Sequence, residues 1–110
     1  MDQEDNRRRY PRYPINFQLM CEMSGGVETV QGVNISEGGL LVASPHSLGL
    51  GSRVTLRFHL GNAGEISLRG TVRHAVEERH GTEFIELSEQ DQKRLQDYVR
   101  HAAGEALSRL

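Results

Sequence analysis

The sequence predicts a mainly β domain, a six-stranded antiparallel barrel with a C-terminal helix and a flexible N-terminal arm. Three observations support this fold class. Apolar and polar residues alternate in several short runs between residues 15 and 87, as in strands with one buried face. Turn-forming residues separate the runs, and the chain has 12 glycines for the bends that close a small sheet. From residue 88 the apolar spacing changes to three and four residues, which is typical of a helix.

Residues 1–14 are the predicted arm. They show no hydrophobic periodicity, and they contain two Tyr-Pro pairs. Since the residue before a proline favours extended backbone, a helix is disfavoured here. We expect this arm to be flexible until a ligand holds it.

The barrel is predicted to span residues 15–87. A hairpin turn is expected at Ser24–Gly26, a long loop over residues 44–52 and another turn over residues 61–64. Residues 76–80 are charged and are predicted to be a loop or a frayed strand end. The expected strands cover residues 15–23, 27–33, 40–43, 54–60, 66–73 and 82–87.

The helix is predicted over residues 88–110. Ser88 is suited to cap it, and acidic residues follow in the first turn. One apolar stripe faces the barrel; its members are Leu95, Tyr98, Val99, Ala102, Ala106 and Leu110. The far end of the stripe extends past a small barrel, so a monomer or a weak homodimer through the helix is expected.

Composition excludes several classes of protein. A chain of 110 residues has room for one core, and its net charge of −2 argues against DNA, RNA or anionic lipid as a partner. No apolar run is long enough to span a bilayer, and the acidic N-terminus does not resemble a secretory signal. With Cys21 as its single cysteine, the chain is expected to be cytoplasmic.

No pattern typical of catalysis or metal binding is present. The five histidines are scattered without ligand spacing, and no nucleophile–base or phosphate-loop motif occurs. Cys21 falls in the apolar series with Phe17 and Leu19 and is expected to be a buried packing thiol. The sequence therefore predicts a protein that is not an enzyme and has no cofactor or metal.

Two polar motifs are suited to an anionic, guanine-bearing ligand. The first is Arg7-Arg8-Arg9-Tyr10-Pro11-Arg12-Tyr13-Pro14, and the planar fork of arginine matches guanine O6/N7 or two phosphate oxygens. The second is Asn34-Ile35-Ser36-Glu37-Gly38-Gly39. Its Asn and Ser project to one side of an extended backbone. Its glycine pair allows close approach and positive φ, and the turn can present N–H groups to an anion.

The two motifs together resemble the signature of PilZ domains, receptors for the bacterial messenger cyclic di-GMP. The pattern is Arg-x-x-x-Arg at Arg8 and Arg12, followed by Asn-x-Ser-x-x-Gly from Asn34 to Gly39. The segments LRGTVRH and LSEQDQKRLQDYV follow in the family's order, so the likeness covers nearly the whole chain. The resemblance implies a barrel with the dinucleotide bound on its outside.

The family pattern also implies residue roles. Arg8 and Arg12 would hold guanine and phosphate, and Arg7 would favour a stacked pair of ligands, two per chain. In the second motif, Asn34, Ser36 and Gly39 would contact the other guanine and the adjoining backbone, and Gly38 is also a predicted ligand-binding residue. The sequence departs from the family at two positions, with Asn34 where Asp is commoner and Thr82 where Val is commoner.

Three functions remain open at this stage. In the first, the chain binds cyclic di-GMP, the arm becomes ordered, and an unidentified effector protein reads the change. That effector is expected because 110 residues leave no room for an output domain. In the second, the chain is a ligand-free adaptor for other proteins. In the third, it binds single-stranded nucleic acid, although the arm carries a net charge of +1 and the remainder −3.

Overall fold

The computed structural model describes residues 10–61 and 64–108. These residues form seven strands and one helix. The strands are β1 (Tyr13–Pro14), β2 (Gln18–Met23), β3 (Gly26–Ile35), β4 (Gly39–Ala43), β5 (Arg53–His59), β6 (Glu65–Val76) and β7 (Arg79–Ile85), and the helix is α1 (Glu89–Ser108).

Strands β2 to β7 close into the predicted six-stranded antiparallel barrel. The order around it is β3-β2-β5-β6-β7-β4, and β4 pairs with β3 to complete the circle. The short strand β1 is additional. It lies within the predicted arm and pairs with the end of β3, with Tyr13 opposite Ile35 and Pro14 opposite Asn34. The last residues of the arm are therefore fixed beside the second polar motif.

The alternating apolar residues fill the inside of the barrel, as the sequence predicts. The core members on the strands include Leu19, Val30, Ile35, Leu40, Val42, Val54, Leu56, Phe58, Ile66, Leu68, Val72 and Phe84. Cys21 is fully buried among them. Burial, with a smaller contribution from the charge of Glu28, raises the pKa of the Cys21 thiol to about 11. The prediction of a packing thiol is confirmed.

Residues 76–80 differ from the prediction of a loop or frayed end. Strand β6 continues to Val76, a tight turn follows at Glu77, which has a φ of 55°, and β7 begins at Arg79. The ladder between β6 and β7 extends into this region, with Ala75 opposite His80. The charged composition of this segment indicated a loop. Instead, Val76, Arg79 and His80 belong to paired strands, and His80 is buried.

The helix begins where the sequence predicts. The Ser88 hydroxyl accepts a hydrogen bond of 3.0 Å from the N–H of Asp91, which caps the first turn. Leu95 and Val99 are buried against the barrel, and the helix runs through Gly104 to Ser108. The side chains from residue 102 onward, which include the end of the apolar stripe, lie outside the described residues. Within the described chain, no helix is long and apolar enough to cross a membrane.

Candidate functional site

The cleft of interest is on the outer surface of the barrel, across β3, β4, β7 and β6. It has a volume of about 570 Å³. The lining residues come from the end of the arm, the turn between β3 and β4, and the facing strands. They are Tyr10, Arg12, Asn34, Ser36, Gly38, Gly39, Leu40, Leu41, Arg73, His74, Gly81, Thr82 and Glu83. Every described residue of the predicted site therefore lines one cleft.

Two β-bulges shape this cleft from opposite sides. On β3 the pairing with β4 shifts between Gly32 and Asn34, and on β6 the pairing with β7 shifts between Val72 and His74. Beyond the shifts, one row crosses four strands: Asn34, Leu41, Gly81 and His74. Bulges redirect side chains and are common beside binding sites. Because Gly81 has no side chain, the floor of the cleft is low at the centre of this row.

The turn that leads into β4 is closed by a serine side chain. The Ser36 hydroxyl accepts hydrogen bonds from the N–H groups of Gly38 at 3.1 Å and Gly39 at 3.2 Å. The Ser36 N–H in turn donates to the Gly39 carbonyl at 2.9 Å. The expectation that this turn presents free N–H groups to an anion is therefore wrong for these two amides. Both amides already donate to the Ser36 hydroxyl, and these bonds hold the turn in one conformation.

Gly39 is required for close packing, and Gly38 leaves room for a neighbouring ring. A Cβ at Gly39 would lie 2.2 Å from the carbonyl oxygen of Thr82, and a Cβ at Gly38 would lie 3.0 Å from the Tyr10 ring. Neither glycine has a positive φ, so that part of the expectation is wrong. Close approach, which was also expected, is the property that the structure uses.

The arm approaches the cleft through Tyr10 and Arg12. The ring of Tyr10 lies over Gly38, and its side chain remains 37% exposed. Arg12 lies one residue before β1 and lines the same cleft. Arg7 and Arg8, the other arginines of the predicted site, lie outside the described residues. Of the arginine motif, Tyr10 and Arg12 lie beside the Ser36–Gly39 turn in the part of the chain that the structure describes.

Sequence reasoning missed the opposite wall of the cleft. Arg73 and His74 lie there, and the Nε of Arg73 donates a hydrogen bond of 3.0 Å to a carboxylate oxygen of Glu83. A signal was available in the alternation of β6: after the inward-facing Val72, a regular strand would turn His74 into the core. A polar residue at such a position indicates a bulge.

Thr82 shows how the departure from the family pattern is accommodated. Its side chain is buried, and its hydroxyl donates a 2.7 Å hydrogen bond to the carbonyl oxygen of Leu40 on β4. The hydroxyl is thereby satisfied within the barrel. This bond joins β7 to β4.

A second, larger cleft of about 1100 Å³ lies beside α1, between the helix and strands β2 and β5. Its lining includes Phe17, Met20 and Tyr98. None of the described residues of the two polar motifs lines it. Among residues 10–61 and 64–101, no three His, Cys, Asp or Glu side chains are placed to share a metal ion.

The first cleft combines arginine cations, an asparagine amide and a glycine floor in one open concavity. Guanidinium groups can donate paired hydrogen bonds to phosphate or to the O6/N7 edge of guanine. A flat base can lie over a position that has no side chain. The arrangement is suited to an anionic ligand with planar purine rings.

Comparison with known proteins is consistent with this description. The chain has a TM-score of 0.77 to a structure of K. pneumonia MrkH in complex with c-di-GMP, at 20% identity. That match covers 94% of this chain and 55% of MrkH, so the chain spans about half of the MrkH length. It has a TM-score of 0.75 to the PilZ domain of Escherichia coli YcgR with c-di-GMP, at 19% identity, covering 94% of this chain and 96% of that domain. At these identities the likeness shows a shared fold.

A third structure, of Bacillus subtilis MotI (an inhibitor of motility), matches with a TM-score of 0.72 and 24% identity, covering 88% of this chain and 52% of MotI. No curated protein matches the chain in sequence. The sequence model of the PilZ domain family matches residues 6–101, which include both polar motifs, the whole barrel and most of α1. The chain belongs to the PilZ domain family.

Proposed function

We propose that this chain is a receptor for cyclic di-GMP, which binds in the cleft between the arm and the bulged strands. The observation that supports this proposal is that Arg12, Asn34, Ser36, Gly38 and Gly39 line one cleft, although Arg12 and Asn34 are 22 positions apart in the sequence. Two of the structural neighbours, MrkH and the YcgR domain, are complexes with c-di-GMP, which supports the choice of ligand.

Each motif has a distinct role in the proposal. Arg8 and Arg12 bind guanine and phosphate by paired hydrogen bonds, and Arg7 promotes a second, stacked ligand. Asn34 binds the other guanine. Ser36 holds the turn rigid through its bonds to the two glycine amides, so that the backbone at Gly38 and Gly39 presents a fixed surface to the nucleotide.

The test is isothermal titration calorimetry with cyclic di-GMP, with GTP and cyclic di-AMP as controls. We expect selective binding of cyclic di-GMP. Loss of one paired, charge-assisted contact costs about 1.5–3 kcal/mol, so Arg12→Ala and Arg8→Ala should each weaken binding by roughly 10- to 100-fold. Arg53→Ala is the matched control, because Arg53 is exposed on β5 and does not line the cleft.

Two results would decide the remaining parts of the proposal. A stoichiometry near two ligands per chain that falls to one in Arg7→Ala would support the stacked pair. Recovery of intact cyclic di-GMP after long incubation would support a receptor that is not an enzyme. Absence of heat, with a negative direct binding assay, would contradict the receptor function and favour a protein-interaction adaptor.

The signal is proposed to pass to an effector protein through the arm. Tyr13 and Pro14 are already paired with β3, so residues that precede them can be drawn towards the cleft by a bound anion. Hydrogen–deuterium exchange should then slow in residues 1–12 when the ligand is added. Unchanged exchange in that segment, at saturating ligand, would contradict this route while leaving ligand binding intact.

A further inference from the structure

Arg73 occupies the extra position of the bulge in β6. Its neighbours Val72 and His74 pair with Thr82 and Gly81, which are adjacent on β7, and so Arg73 has no residue of its own opposite it. Val72 is fully buried, whereas Arg73 and the residue after it are both exposed. The bulge therefore presents two consecutive side chains, Arg73 and His74, on the outer surface of the barrel, where both line the cleft.

The guanidinium of Arg73 forms an ion pair with Glu83 through one of its nitrogens and keeps further N–H donors. Its Nε donates a 3.0 Å hydrogen bond to Glu83, and the side chain remains 57% exposed. Among the described residues, neither of its two terminal Nη groups has a hydrogen-bond partner. Arginine has five N–H donors in a rigid fork. A carboxylate on Nε thus leaves the Nη edge available for a ligand.

Arg73 lies on the opposite wall of the cleft from the arm. Asn34 and His74 are at the two ends of the row that crosses four strands, which at about 4.8 Å per strand is roughly 14 Å. Arg12 approaches from the β3 side, next to β1. A ligand held at one wall by the arm and by Asn34 would reach the other wall only if it extended across the floor formed by Gly81.

We propose that Arg73 is a third arginine contact for the bound nucleotide, made through its Nη edge to paired acceptor oxygens or to an O6/N7 pair, with Glu83 as its positioning residue. This inference rests on the proposed function. It assigns a specificity-determining residue that neither polar motif contains. It also gives the β6 bulge a purpose, since a regular strand could not present Arg73 and His74 together.

The test compares Arg73→Ala with Arg69→Ala by calorimetry with cyclic di-GMP. Arg69 is a close match: it lies on the same strand, forms an ion pair of 3.2 Å with Glu86, is 67% exposed, and does not line the cleft. We expect Arg73→Ala to weaken binding about tenfold and Arg69→Ala to stay within twofold of the wild type. Thermal melts of both variants check that the barrel is intact.

Arg73→Lys tests the paired geometry. Lysine keeps the charge but cannot donate two parallel hydrogen bonds, so its affinity should remain at least fivefold below that of the wild type. Wild-type affinity in Arg73→Ala would overturn the contact, and wild-type affinity in Arg73→Lys would overturn its paired form. If the unmodified chain bound no cyclic di-GMP, the proposed function itself would fail, and the role of Arg73 would fail with it.

Discussion

Replacement of Gly39 by alanine is the sharpest test of how the cleft is built. Gly39 begins β4 and lies opposite Glu83 on β7. A Cβ there would be 2.2 Å from the carbonyl oxygen of Thr82, which is about 1.2 Å inside the 3.4 Å at which ordinary contact begins. That oxygen belongs to the backbone of a paired strand, so it cannot rotate away. The two strands would have to separate.

The cost follows from the bonds that a separation would stretch. The N–H of Phe84 donates to the Gly38 carbonyl at 2.9 Å, and an added displacement of this size would take it to about 4 Å, outside hydrogen-bonding range. An unsatisfied buried N–H costs about 1–3 kcal/mol, and overpacking costs a further 1–3 kcal/mol. We therefore expect Gly39→Ala to lower the free energy of unfolding by about 3 kcal/mol, and the melting temperature by roughly 10–15 °C.

Thermal and urea unfolding followed by circular dichroism would measure this loss. Gly25→Ala is the matched control, because a Cβ at Gly25, in the β2–β3 turn, meets nothing within 4 Å. That variant should be neutral or stabilised by less than about 1 kcal/mol, as expected when alanine restricts the unfolded chain. If Gly39→Ala melted within about 2 °C of Gly25→Ala, the close approach of β4 and β7 would be refuted.

Three further predictions follow. Ser36→Ala removes the acceptor of two amide N–H groups and should cost about 1–2 kcal/mol in urea unfolding, whereas Ser47→Ala, whose hydroxyl accepts one long bond of 3.3 Å, should cost under about 0.5 kcal/mol; equal losses would contradict the turn's rigidity. Ser88→Ala removes the helix cap and should cost about 1 kcal/mol by thermal melting, and an unchanged melt would contradict that role. Burial raises the pKa of the Cys21 thiol from 9.0 to about 11, so the thiol loses its proton at a lower pH in the unfolded chain than in the folded one. The free energy of unfolding is therefore unaffected by this group below pH 9. It should fall by roughly 2–3 kcal/mol as the pH rises from 9 to 11. Unfolding free energies of the wild type and Cys21→Ala across this range should diverge, and parallel curves would refute the shift.

The barrel could be predicted because its strands show their buried faces in the sequence. In β5, Val54, Leu56 and Phe58 face inward with polar residues between them, and the structure buries all three. Strand β1 could not be predicted in this way. It has two residues, Tyr13 and Pro14, and a pair of residues has no period. Its pairing depends on where β3 ends, which is a property of the folded chain.

The sequence motif grouped residues that share one cleft, but it did not give the geometry of that cleft. Asn34 and Ser36 both line the cleft, because a motif fixes which residues are near each other along the chain, and their contact with a ligand stays a prediction. The positive φ expected at Gly38 and Gly39 was wrong, whereas the expected close approach is present. Glycine permits positive φ and close approach alike, and the sequence does not say which is used. The choice is made by Thr82, a residue 43 positions after Gly39 that packs against it.

The bulges are the part of the site that links sequence to function most directly. In β3, Val30 and Ile35 both face the core, yet they are five positions apart, and a regular strand cannot turn both inward because its side chains alternate. One extra residue must therefore lie between them, and the pairing places it next to Asn34. In β6 the sign is different: the polar His74 stands where a regular strand would turn a side chain inward after Val72, and it is exposed. Each bulge shifts which residues face outward at the point where a polar side chain is needed. A change in the parity of buried positions, read beside a polar residue, is thus a signal of the cleft itself as well as of irregular pairing.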